Sequence, residues 1–151
     1  MKIGCVYTVE AYFSIDKPLV AATEIPFGLA IIITVLCNAG HEVELFVITP
    51  DTPLESFIGT YIEKASPQLF CFTAVSTQYW QAERVAKYVK SIDESIFIIL
   101  GGHHASLNTE EVAKTNLFDA LCVGEGERAI LTVANQLESG RLGSTIGNLW
   151  I

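Results

Sequence analysis

The chain has 151 residues, half of them hydrophobic, with a mean hydropathy of +0.41 and a formal net charge of -8. That length suits one domain with a substantial core, and the composition excludes an intrinsically disordered chain. Nine basic residues, scattered without a cluster among seventeen acidic ones, exclude a nucleic-acid surface.

Met1 to Val9 reads as a first strand, followed by a long aperiodic connection over residues 10–25 that contains Tyr12, Phe13, Asp16 and Pro18. Loops of that length in compact domains are often functional. Pro26 opens a helix running to about Asn38, with Gly40 as its C-terminal cap. Its apolar stretch, Phe27 to Cys37, is too short to cross a bilayer. The N-terminus also lacks the layout of a signal peptide, so a cytoplasmic location with no membrane partner is expected.

His41 to Ile48 reads as a second strand. Pro53 to Ala65 fits an amphipathic helix with Leu54, Phe57, Ile58, Tyr61 and Ile62 on one face. Gln68 to Val75 is a third strand. Gln78 to Ile92 is a helix with Trp80, Val85, Tyr88 and Val89 as core candidates. A fourth strand at Phe97–Leu100, a short helix at Asn108–Lys114, a fifth strand at Phe118–Val123 and a helix at Glu125–Leu137 follow. From Ile146 the chain looks like the start of another strand or a linker.

Alternation of this kind requires right-handed crossovers. The expected fold is α/β, a three-layer, doubly wound, five-stranded parallel sheet of flavodoxin-like or Rossmann-like type. Strand order 2-1-3-4-5 is preferred over 3-2-1-4-5. Of the four cysteines, Cys5, Cys71 and Cys122 sit inside apolar runs, and none of the four has a CxxC partner. Buried, reduced thiols are expected rather than disulfides or a metal clip.

Two segments carry the functional signal, FIILGGHHA over Phe97–Ala105 and FDALCVGEGE over Phe118–Glu127. Each is an apolar run that stops at glycines. In open α/β sheets ligands bind at the carboxyl ends of the strands, where glycines admit close backbone approach.

These residues resemble a known family. Ile25–Ile48, IPFGLAIIITVLCNAGHEVELFVI, resembles the P-P-x-G-L…L…A-G-H-x-V opening of the cobalamin-binding domain found before the radical SAM barrel. Ser66–Lys90 is similar to that family's third strand and following helix. Gly101–Leu137 is similar to its G-G-x-H-A…P-E…D-x-V-V-x-G-E-G-E core. Anaerobic magnesium-protoporphyrin ester cyclases and several radical methylases share this arrangement.

The resemblance implies that residues 1–140 form a cobalamin-binding domain and that 141–151 begin a linker to a radical SAM domain of the same polypeptide. That partner domain would hold a 4Fe-4S cluster and S-adenosylmethionine. Two motifs are missing from this sequence. No histidine precedes His41, so the Asp-x-His-x-x-Gly loop and a lower histidine ligand from it are excluded. There is no CxxxCxxC, so this chain supplies only the cobalamin half, and no catalytic or metal-ligating residue is assigned to it.

The implied cofactor-binding residues are Ser76, Thr77, Gln78, Gly101, Gly102, His103, His104, Ala105, Gly124, Glu125, Gly126 and Glu127. Gly101 and Gly102 would approach the corrin or its nucleotide tail, and a side chain at either is expected to harm binding more than stability. For the histidines, a hydrogen bond within the loop for one and solvation of the other is preferred over ligation of cobalt. Ser76 or Thr77 suits a helix N-cap as well as a tail contact. Glu125 and Glu127 suit the positive end of a helix and could accept hydrogen bonds from ribose or amides. Glu10, Tyr12 and Phe13 follow the first strand, where packing on the lower corrin face and plain solvation both remain open.

Three other classes share this architecture. A response-regulator domain would need an Asp after strand three and a Lys after strand five, and neither is present. A flavodoxin or nucleotide-binding enzyme would need a phosphate-cradling first loop or GxGxxG, which is also missing. A degenerate scaffold of the same fold that binds nothing is the remaining alternative.

Overall fold

The protein is described from a computed structural model over residues 1–9, 26–141, 143 and 145–150. The expectations placed on residues 10–25, including Glu10, Tyr12 and Phe13, lie outside the described residues.

In chain order the elements are β1 (Lys2–Thr8), α1 (Phe27–Asn38), β2 (Glu42–Ile48), α2 (Thr60–Ala65), β3 (Leu69–Thr73), α3 (Tyr79–Ile92), β4 (Phe97–Gly101), α4 (His103–Leu107), α5 (Thr109–Ala113), β5 (Ala120–Cys122), α6 (Glu127–Glu138) and β6 (Leu149–Trp150). The sheet order is β2-β1-β3-β4-β5-β6. The first five strands are parallel, in the preferred 2-1-3-4-5 order. A sixth strand, in the stretch from Ile146 that the sequence left open between a strand and a linker, pairs antiparallel with β5 through Leu121↔Trp150 and Cys122↔Leu149.

The inner strands β1, β3, β4 and β5 are largely apolar on both faces because helices cover both. Ile3, Cys5, Leu69, Cys71, Ile99 and Cys122 point to the face covered by α1 and α6. Val6, Phe46, Phe70, Phe72, Ile98 and Leu100 point to the other, where they meet Ile58, Ile62, Val85 and Val89. Gly4 in β1 is register partner to Phe70, and a Cβ there would run into the Phe70 ring. The glycine makes room for the largest fully buried side chain among the described residues.

Two helices differ from expectation. A π-helical segment at Glu55–Gly59 precedes α2, so Leu54, Ile58 and Ile62 are buried while Phe57 is exposed. One extra residue in the turn rotates Phe57 off the apolar stripe. In α3 Trp80 is exposed as well, and the core contacts come from Gln81, Ala82, Val85, Ala86 and Val89.

The two edges of the sheet are built differently. At the amino edge, Lys90 Nζ pairs with Asp119 Oδ2 at 2.7 Å, and the Met1 amine pairs with Glu138. At the carboxyl edge stand the glycines of β4 and of the turn after β5. No helix among the described residues is long and apolar enough to cross a membrane.

Candidate functional site

A cavity of about 400 Å³ opens at the carboxyl ends of β3, β4 and β5 and is covered by α1 and α6. Each wall can be followed from the edge inward. Thr73 leads to Cys71 on β3, Gly101 to Ile99 on β4, and Gly124 back to Cys122 on β5. Gly28 and Leu29 lead to Ile32 on α1, and Gly126 and Glu127 lead to Ala129 and Ile130 on α6. His103 and Ser106 of α4 stand at the mouth, and Leu149 of β6 also lines the cavity.

The glycines have different jobs. Gly102 adopts φ +89°, which L side chains rarely enter. A Cβ there would lie 2.7 Å from Thr73 Oγ1 and 2.8 Å from the Ala74 carbonyl oxygen. The loop doubles back onto the end of β3: the His104 N–H donates to the Ala74 carbonyl at 3.0 Å, and the Ala74 N–H to the Gly101 carbonyl at 3.2 Å. The expectation that a side chain at Gly102 would harm binding more than stability is therefore corrected, because it would strike this chain's own backbone. At Gly101 a Cβ would make only ordinary contacts, 3.7 Å from Cys122 Cβ.

Gly126, the N-cap of α6, has an ordinary φ of -101°. A Cβ there would sit 3.2 Å from both Cys122 Sγ and Ile32 Cδ1, two atoms of opposite cavity walls. Its missing side chain keeps the passage between them open. Gly124 has φ +82°, and its N–H donates to Ser106 Oγ at 3.3 Å. Asn148 Nδ2 donates to the Glu125 carbonyl at 2.9 Å, so the Gly-Glu-Gly turn is held from both sides.

Of the residues singled out from sequence, Gly101, Gly102, His103, Gly124, Glu125, Gly126 and Glu127 come together around the cavity. The others do not line it. Ala105 is fully buried in the core on the opposite face. Ser76 and Thr77 are exposed, and the N-cap of α3 is Gln78 without a side-chain cap bond, so neither hydroxyl caps that helix. His103 and His104 lie not in an open loop but on the single turn of α4.

His104 turns away from the cavity. Its ring stacks on Tyr79 at 4.1 Å, and its Nδ1 meets Ser76 Oγ at 3.1 Å and Asn108 Nδ2 at 3.2 Å. With the Asn108 amide donating, Nδ1 accepts and the proton sits on Nε2. Burial pulls the imidazole below its ordinary 6.5, partly opposed by Glu111 and Glu83. Burial and the Glu83 charge push the Tyr79 phenol up to about 12.

At the cavity, the Cys122 thiol is raised by burial and by Glu127 and Glu125. The Cys71 thiol is held well above its usual range by its hydrogen bond with Cys5 and by burial. Both remain neutral thiols, suited to packing rather than to nucleophilic attack. Among the described residues no group of three or more His, Cys, Asp or Glu is placed to hold a metal ion. The arrangement offers a polar mouth edged by glycines and carboxylates over an apolar floor. Sequence reasoning missed that floor, whose Leu29, Cys71, Ile99 and Cys122 look like ordinary core.

The comparisons agree with this geometry. Residues 19–134 match the family model of the B12 binding domain. An uncharacterized methyltransferase of Pyrococcus horikoshii is 29% identical over 126 residues, covering 83% of this chain and 27% of the relative. An anaerobic magnesium-protoporphyrin IX monomethyl ester cyclase of Rubrivivax gelatinosus is 27% identical over 118 residues, covering 77% and 21%. The chain thus spans about a quarter of the length of these relatives or less.

Among solved structures, the cobalamin-dependent S-adenosylmethionine radical enzyme OxsB, with aqua-cobalamin and S-adenosylmethionine bound, superposes with a TM-score of 0.74 at 15% identity. That match covers 98% of this chain and 20% of OxsB. A cobalamin-binding protein of Desulfitobacterium hafniense gives 0.60 at 14% identity, covering 89% and 57%. With more than half its length matched by the family model, the chain belongs to the B12-binding domain family.

Proposed function

We propose that this chain is the cobalamin-binding domain of a cytoplasmic, cobalamin-dependent radical SAM enzyme. The corrin would lie across the carboxyl edge of the sheet, with its nucleotide tail entering the cavity. The observation that carries this reading is the open passage at Gly126, which a single Cβ would narrow from both walls. A cavity of about 400 Å³ is of a size to take a nucleotide tail, within the usual range for ligand pockets.

Gly101, Gly102, His103, Gly124, Glu125, Gly126 and Glu127 would frame the tail. The carboxylates can accept hydrogen bonds from ribose hydroxyls and from the amide side chains of the corrin. Ser76 and Thr77, which are exposed, and the half-buried Gln78 would meet the corrin periphery. His104 and Ala105 would hold the loop rather than touch the cofactor. When bound, cobalamin supplies a cobalt centre that carries a methyl group or assists a radical step. Cluster and S-adenosylmethionine would belong to a radical SAM domain that follows residues 141–151, the segment that also contributes β6 to this sheet.

Titrating the purified chain with hydroxocobalamin while following the visible spectrum tests the reading. Saturable binding of one equivalent is expected. No binding at high micromolar cobalamin overturns it in favour of a scaffold that has lost the cofactor.

A further inference from the structure

We infer that the floor of the cavity selects the nucleotide base of the cofactor, accepting a flat base without exocyclic hydrogen-bonding groups, of the benzimidazole type, and disfavouring a purine. This rests on the cobalamin reading above.

The argument comes from how the cavity changes with depth. Its polar side chains, Thr73, His103, Ser106, Glu125 and Glu127, stand at the edge of the sheet. One pleat or one helical turn further in, the walls are Cys71, Ile99, Cys122, Ile32 and Ile130. Among the described residues that line the cavity, none at this depth carries a hydroxyl, amide or charged group.

The backbone around them is already engaged. Cys71 is in register with Ile99, and Ile99 with Ala120, in the parallel ladder. The two sulfurs are weak hydrogen-bonding groups, and the Cys71 thiol is already hydrogen-bonded to Cys5. A benzimidazole attached through one nitrogen has a single ring acceptor left to place. An adenine attached the same way brings an exocyclic amine and three ring nitrogens, which would lose their water at this depth without partners. Gly126 then acts as the gate of the base site, because a Cβ there would press on both Cys122 Sγ and Ile32 Cδ1, 3.2 Å from each.

The test measures dissociation constants of the 151-residue chain for three corrinoids: hydroxocobalamin, its adenine-tailed analogue, and cobinamide, which has no nucleotide. Hydroxocobalamin is expected to bind tightest. The adenine-tailed form should be weaker by roughly tenfold or more, close to cobinamide. In Gly126→Ala the hydroxocobalamin-to-cobinamide affinity ratio should fall toward one. In Cys122→Ser, where a hydroxyl replaces a thiol on the floor, the gap between the benzimidazole and adenine forms should narrow.

Equal binding of the benzimidazole and adenine forms overturns the selection and leaves the cobalamin reading standing. Equal binding of all three puts the tail outside the cavity and overturns it as well. Binding of none of the three sinks the cobalamin reading itself, and the inference with it.

Discussion

Gly101 and Gly102 are adjacent and both line the cavity, yet they respond to different forces. At Gly102 the backbone is in the left-handed region and a Cβ would meet the Ala74 carbonyl at 2.8 Å. Both the φ strain and the steric contact fall on the native protein, whatever is bound. Gly102→Ala should cost about 2–4 kcal/mol, from backbone strain of about 1–3 kcal/mol and the displacement of β3 needed to relieve the contact. Gly101→Ala meets only ordinary contacts and should change stability by less than about 1 kcal/mol. Urea unfolding midpoints measure both. Equal losses at the two positions would mean that the loop does not press on β3 as described. The glycine pair was visible in the sequence, but which of the two is structurally obligatory was not. That depends on Ala74, which is 28 residues away in the chain and reaches the loop through the β3–β4 pairing.

The loop after β3 and the short helix α4 form one unit through His104, Tyr79, Ser76 and Asn108. Because burial depresses the folded pKa of His104, the unfolded chain takes up this proton first as the pH falls below about 6.5. Stability should therefore decline as pH drops through that range and level off once it passes the folded value. Other groups contribute to the same curve, so the diagnostic is a comparison. His104→Gln should show a flatter dependence between pH 7.5 and 5.5 in chemical unfolding, and an identical slope would remove His104 from the account. Elements of this size mark the limit of what periodicity reveals. The five parallel strands were legible as largely apolar runs between turn signals; β1, β3, β4 and β5 are buried on both faces, while the edge strand β2 exposes Glu42, Glu44, Leu45 and Val47. α4, a single turn after a positive-φ glycine, and β6, two residues long, contain no repeat to detect. The π-helical segment before α2 shifted the expected face of that helix, so Phe57 was wrongly assigned to the core. Hydroxyls at Ser76 and Thr77 suggested a cap, but the N-cap of α3 is Gln78, without a side-chain cap bond, and its N–H donates to the Val75 carbonyl at 3.0 Å.

At the scale of the whole molecule, the amino edge of the sheet is closed by ion pairs while the carboxyl edge keeps a cavity lined by the sheet and by α1 and α6. That cavity costs stability in the free protein, since its apolar walls lack the contacts a filled core would give. A ligand that fills it and binds only the folded chain must return stability by mass action. At a free ligand concentration one hundred times its dissociation constant the gain is about 2.7 kcal/mol. For a domain of this size that corresponds to a rise in melting temperature of about 5–10 °C. Thermal unfolding followed by circular dichroism should show this rise with hydroxocobalamin, growing with the logarithm of its concentration. Gly126→Ala, with its φ already in a region open to alanine, should melt close to the parent without ligand. At the same hydroxocobalamin concentration it should gain less, because the passage between Cys122 and Ile32 is narrowed. A variant that gains as much as the parent would show that the stabilising ligand sits elsewhere on the edge, and that the cavity between the sheet and its two helices is only a packing defect.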